Sequence, residues 1–113
     1  MPDFTVTVAH DADETVIAAA GELDMSTCPK VAEAIAALPA GNTSLRLDLS
    51  GISFMDSMGL NLLLTLRRRL EDSGGRLVLT GVHQQPSGLL RLTGAYSLFD
   101  ITEAADNLAG SGR

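Results

Sequence analysis

Apolar residues recur at alternate positions in some stretches of this chain and at helical spacing in others, and that contrast lays out its elements. Phe4, Val6 and Val8 alternate with polar neighbours, the mark of a strand with one buried face. His10-Asp11-Ala12-Asp13 reads as a turn, and the apolar run from Val16 to Ala20, ended by Gly21, as a second strand; together they predict an antiparallel hairpin. Gly21 to Thr27 reads as a loop. Pro29 suits the first turn of a helix, where its missing N–H costs nothing. Val31, Ile35 and Leu38, with Ala34 beside them, share one face of that helix, which Pro39 and Gly41 end.

Leu45, Leu47 and Leu49 alternate again and predict a third strand, followed by a connection from Ser50 to Asp56. Ser57 to about Glu71 reads as a helix closed by Gly74-Gly75. Leu77 and Leu79 mark a fourth strand ended by Gly81, and Pro86 to Thr93 a short helix stopped by Gly94. Leu98, Phe99 and Ile101 suggest a short fifth strand, and Thr102 to Leu108 a last helix with Thr102 as its cap. The Gly/Ser-rich tail, 109–113, is expected to fray. Strand, helix, strand over 45–80 implies a parallel pair with a right-handed crossover. Added to the opening hairpin, this predicts an α/β fold: a mixed sheet of four to five strands with helices packed mainly on one side, the other face partly solvated, in a single domain over 1–113.

Charge and composition narrow the function. The net charge of −6 opposes nucleic acid, whose phosphates need a basic face, and an anionic membrane surface. The one basic cluster, Arg67 to Arg69, falls in the last turn of a predicted helix, where cations complement the dipole. With no Trp and three Phe, the core is built from Leu, Val, Ile and Ala, which disfavours a deep aromatic ligand cage. Cys28 is the only cysteine, so neither a disulfide framework nor a cysteine zinc site is available. Met1-Pro2-Asp3-Phe4 lacks the basic and apolar regions of a secretory signal, and no apolar run approaches the roughly 20 residues of a membrane helix, so the cytoplasm is the expected compartment.

The informative segment is Leu45 to Leu70, LRLDLSGISFMDSMGLNLLLTLRRRL. Asp56-Ser57 open its helix. Unpaired N–H groups and the macrodipole favour an anion there, so a phosphate on Ser57 would be tolerated by the backbone. It would repel or sterically block a partner docked beside Asp56. On local sequence alone, Asp56 or Ser57 reads more simply as an N-cap. Leu60, Leu63 and Leu70, with Leu64 close by, form one apolar side of the helix. Met58, Leu62 and Leu66 form a second stripe, which either packs under a neighbouring helix or meets a partner.

Two motifs, Gly21-Glu22-Leu23-Asp24 with Thr27, and Leu47-Asp48-Leu49-Ser50-Gly51-Ile52-Ser53-Phe54-Met55-Asp56-Ser57-Met58-Gly59-Leu60, resemble those of the bacterial anti-sigma factor antagonists, the STAS-domain proteins. Gly74-Gly75 before Leu77, and Leu92, Gly94 and Phe99, extend the resemblance over most of the chain, from about Phe4 to Leu108. The resemblance implies a protein that binds a serine-kinase anti-sigma factor and so releases a sigma factor. Phosphorylation of Ser57 by that kinase would switch it off, and a serine phosphatase would restore it. ATP and Mg²⁺ would belong to the kinase, and this chain would need no cofactor. Asp24, Asp56, Ser57, Met58, Asn61 and Leu62 are the expected partner-binding residues. The family usually has a small residue where this chain has Met58, a side chain able to contact a partner and to limit access to Ser57.

An unphosphorylated STAS scaffold or transport-complex subunit is the alternative. An enzyme is disfavoured: no G-x-S-x-G elbow surrounds Ser57, no His/Asp/Glu cluster has metal spacing, and His83 is the one candidate base. Neither G-x-x-x-x-G-K nor G-x-G-x-x-G appears.

Overall fold

The computed structural model describes residues 4–11, 14–38 and 44–105. One five-stranded sheet runs in sequence order: β1 (Thr5–Asp11), β2 (Glu14–Leu23), β3 (Ser44–Met55), β4 (Arg76–Val82) and β5 (Asp100–Glu103). β1 and β2 are antiparallel, and every later pairing is parallel. Helices α1 (Cys28–Ala36), α2 (Ser57–Asp72) and α3 (Gln84–Leu92) make the three crossovers. Successive parallel steps in one direction, each with the usual right-handed crossover, put all three on the same face. The core lies between: Ile17, Ala19 and Leu23 of β2, Leu45, Leu47 and Leu49 of β3, and Leu77, Leu79 and Val82 of β4 pack against Val31, Ile35, Leu60, Leu63, Leu66 and Leu90 of the helices. On the other face Ala18, Asp48, Thr80 and Thr102 lie side by side, the first three half-buried. The expected mixed sheet with one helical layer is the observed one.

Several boundaries differ from the pattern-based expectation, each for a tertiary reason. β3 does not stop at Leu49. It runs through the expected connection to Met55, but Ile52 and Met55 are its next buried residues, three apart, because the register with β2 slips twice. Gly51 sits at the first slip, where a Cβ would come within 2.7 Å of the Ala20 Cβ. β2 likewise passes Gly21 and ends at Leu23, so part of the expected loop is strand. Leu98 and Phe99 are not strand: residues Tyr96–Leu98 form a 3₁₀ turn, and pairing begins only at Asp100. Thr102 is a strand residue opposite Thr80 rather than a helix cap. The rest of that expected helix from 106 on, the 109–113 tail and the Pro39 and Gly41 stop signals lie outside the described residues.

On α2, Leu66 is 2% exposed and belongs to the core, Leu62 is half-buried, and Met58 is exposed. The second stripe is therefore divided between core and surface. Leu70 is only half-buried. Arg67 does not merely cap the helix dipole: its Nε donates to the Leu98 carbonyl at 2.7 Å and lies 3.4 Å from Glu71, tying α2 to the 3₁₀ turn. Of the three arginines, only Arg69 lies in the last turn.

Candidate functional site

The two sequence motifs end on neighbouring parallel strands, so they meet at one corner of the molecule. Leu23 and Met55 are register partners, and the Asp56 N–H donates to the Leu23 carbonyl at 3.2 Å. There the chain turns into α2. Asp56 is the N-cap: its Oδ1 accepts from the N–H of Met58 at 2.9 Å and of Gly59 at 3.1 Å, satisfying two of the helix's unpaired donors. Gly59 lets the first turn of the helix sit down on the strand ends. A Cβ there would lie 2.6 Å from the Met55 Cγ and 2.8 Å from the Leu23 carbonyl oxygen.

Asp24 follows Leu23 and organises its own turn. Its Oδ1 accepts from the Ser26 N–H at 2.9 Å, the Ser26 hydroxyl at 2.8 Å and the Thr27 N–H at 3.2 Å. The Thr27 hydroxyl donates back to the Glu22 carbonyl at 2.6 Å. The Ser26 hydroxyl, opposed by desolvation and aided by the main-chain donors of Ser26 and Thr27, holds the Asp24 carboxyl below its ordinary value. Cys28, at the start of α1, has its thiol pushed up by burial and then by the nearby charges of Asp56 and Asp24. Both carboxylates are thus near enough to the thiol to disfavour its ionised form.

Ser57 is the first residue of α2, exposed, and among the described residues its hydroxyl makes no hydrogen bond. Asp24, Asp56, Ser57 and Met58 all lie at or next to the paired ends of β2 and β3. Asn61 and Leu62 lie one turn farther along α2, Asn61 exposed and Leu62 half-buried against the core. Pattern reasoning missed Met25 and Phe54. They are 69% and 41% exposed, Met58 is 44% exposed, and all three lie within two residues of Asp24 or Asp56 along the chain. Phe54 lies opposite Glu22 in the part of β3 that carries no alternating pattern. Gln85, whose side chain binds the main chain of Met55, was missed as well; no local pattern marks a contact across 30 residues.

His83 is engaged with the main chain of β3. Its Nε2 lies 2.7 Å from the Ser50 carbonyl, which can only accept, so this nitrogen is the donor of that hydrogen bond. Among the described residues, no group of three or more His, Cys, Asp or Glu side chains could hold a metal ion, and no helix is long and apolar enough to cross a membrane.

Both sequence motifs thus contribute to one corner, with Asp56 capping the helix that Ser57 begins. The family profile described as "Mlab, STAS domain" matches residues 6–100, and the chain belongs to the STAS-domain family. Several of the proteins it is similar to are named as anti-sigma factor antagonists. The anti-sigma-B factor antagonist of Listeria monocytogenes is 32% identical over 103 residues, 90% of each chain. The anti-sigma-F factor antagonist RsfB of Mycobacterium tuberculosis is 33% identical over 108 residues, 92% of this chain and 88% of that one. The crystal structure of an anti-sigma factor antagonist from Mycobacterium paratuberculosis superposes with a TM-score of 0.75 at 28% identity, covering 96% of this chain and 93% of that one.

Proposed function

We propose that this protein is an anti-sigma factor antagonist regulated at Ser57. In its unphosphorylated form it binds an anti-sigma factor that is itself a serine kinase, and the sigma factor is released. The kinase transfers a phosphoryl group from ATP·Mg²⁺ to the Ser57 hydroxyl and the complex separates; a serine phosphatase removes the group. The chain acts as one cytoplasmic binding domain, contributes no catalytic residue and carries no cofactor.

The observation that carries this reading is the Ser57 hydroxyl itself. Ser57 is exposed and, among the described residues, its hydroxyl makes no hydrogen bond, at the corner where both family motifs meet. Asp24, Asp56, Met58, Asn61 and Leu62 are the partner contacts in this reading, with Met25 and Phe54 as further apolar contacts. The switch is electrostatic. Asp56 already takes two helix donors, so a phosphate adding about −1.5 to −2 charges meets a carboxylate rather than an empty anion site. A partner seated there would have to desolvate both groups.

The test is to mix the protein with the serine-kinase anti-sigma factors of its source organism, ATP and Mg²⁺, and to map phosphate by mass spectrometry. Phosphate on Ser57 with loss of binding is expected. Stable binding without phosphate would favour the unswitched scaffold and make Met58 the first residue to exchange for Ser or Ala. Absence of both would end the antagonist reading.

A further inference from the structure

β3 outruns its neighbour. Its last pairing with β4 is Asp48 opposite Thr80, yet it continues to Met55. β4 turns away near Gly81, which has φ +68° and sits so close to Ser50 that a Cβ would lie 2.7 Å from the Ser50 Cβ. Along a strand, the N–H and C=O of one residue point to one neighbour and those of the next residue to the other. The Asp56 N–H points to β2, where it meets the Leu23 carbonyl, so the N–H and C=O of Met55 point to the side β4 has vacated. Met55 is 1% exposed, and buried main-chain groups need partners.

Gln85, in the first turn of α3, supplies both. Its Oε1 accepts from the Met55 N–H at 2.7 Å and its Nε2 donates to the Met55 carbonyl at 2.9 Å. A carboxamide carries the same donor and acceptor as a peptide group, so this one side chain replaces a residue of the missing strand. Two residues earlier, His83 meets the Ser50 carbonyl in a similar way.

We infer that Gln85 is a positioning residue for Ser57: by pairing with Met55, the residue before the N-cap, it holds Asp56 and the first turn of α2 in the geometry that presents the Ser57 hydroxyl. The inference rests on the phosphoacceptor reading, and its test separates the two. In Gln85→Ala, and in Gln85→Met, which keeps the length without the hydrogen bonds, amide exchange of Met55, Met58 and Gly59 should quicken about tenfold, while Leu47 and Leu79 in mid-sheet stay unchanged. With the kinase, kcat for Ser57 phosphorylation should fall about tenfold with KM within about twofold, because orientation is lost and the docking face is kept. Unchanged exchange would overturn the inference, and so would faster exchange with unchanged kcat, which would make Gln85 merely structural. If the wild-type chain takes no phosphate, the Ser57 reading fails and the presentation of its hydroxyl with it; faster exchange would then still support the hold of Gln85 on the cap.

Discussion

The carbonyl oxygen of Leu23 accepts the N–H of Asp56 at 3.2 Å and would lie 2.8 Å from a Cβ on Gly59. A single main-chain atom at the end of β2 thus sets both where β3 ends and how closely α2 approaches. Asp24 and Ser57 come to one corner because of it.

Gly59→Ala tests that contact. Ala is favoured over Gly within a helix by roughly 1 kcal/mol. The clash opposes this, and the Leu23 carbonyl is main chain, which cannot turn aside as the Met55 side chain can. Overpacking of this kind costs about 1–3 kcal/mol. A lower melting temperature is expected by calorimetry, and an unchanged or raised one would mean that the helix start is not held against β2.

Leu66 and Met58 separate fold from surface on α2. Leu66→Ala should cost about 2–5 kcal/mol in urea unfolding, the usual effect of a cavity at a buried leucine. Met58→Ala should stay within about 0.5 kcal/mol of wild type and instead weaken binding to the anti-sigma factor. A stability loss at Met58 as large as at Leu66 would place Met58 in the core.

Ser57→Ala should bind the anti-sigma factor as the wild type does and resist phosphorylation, giving a permanently active form. Ser57→Asp should bind more weakly in titration calorimetry, though less so than the phosphoprotein, since a carboxylate carries less charge than a phosphate. Tight binding by Ser57→Asp would count against an electrostatic switch.

Acid stability should depend on Glu103. Its carboxylate accepts from the Arg91 guanidinium at 2.7 Å, the Tyr96 hydroxyl at 2.8 Å and the Ser87 hydroxyl at 2.8 Å, joining β5 to α3 and to the 3₁₀ turn. The Arg91 hydrogen bond first, then those of Tyr96 and Ser87, hold its pKa below the ordinary 4.5. A group depressed in the folded state stabilises fully above its unfolded pKa, and that contribution is lost as pH falls through the folded value. Wild type should therefore lose stability below about pH 4.5 more steeply than Glu103→Gln. Parallel acid limbs would show that the network does not favour the ionised form.

The elements whose patterning is local were legible in the sequence. Leu45, Leu47 and Leu49 alternate and are buried; Asp56 caps a helix that begins at Ser57; Gly74 and Gly94 end α2 and α3 with positive φ. Asp24, Asp56 and Ser57 could be named from their motifs, because caps and turns are built from residues close in sequence.

Tertiary structure decided where those elements stop and what touches them. The alternation that marks β3 breaks at Gly51, where the sheet slips register against Ala20, so no period of two leads a reader on to Met55. Leu66 had the same helical spacing as Met58, and only the packing of the helix layer buried one and left the other in solvent. Gln85 had no pattern at all. Its role exists because β4 turns away from β3, leaving an N–H and a carbonyl that must be paired, and a side chain 30 residues distant is the group the fold brings within reach.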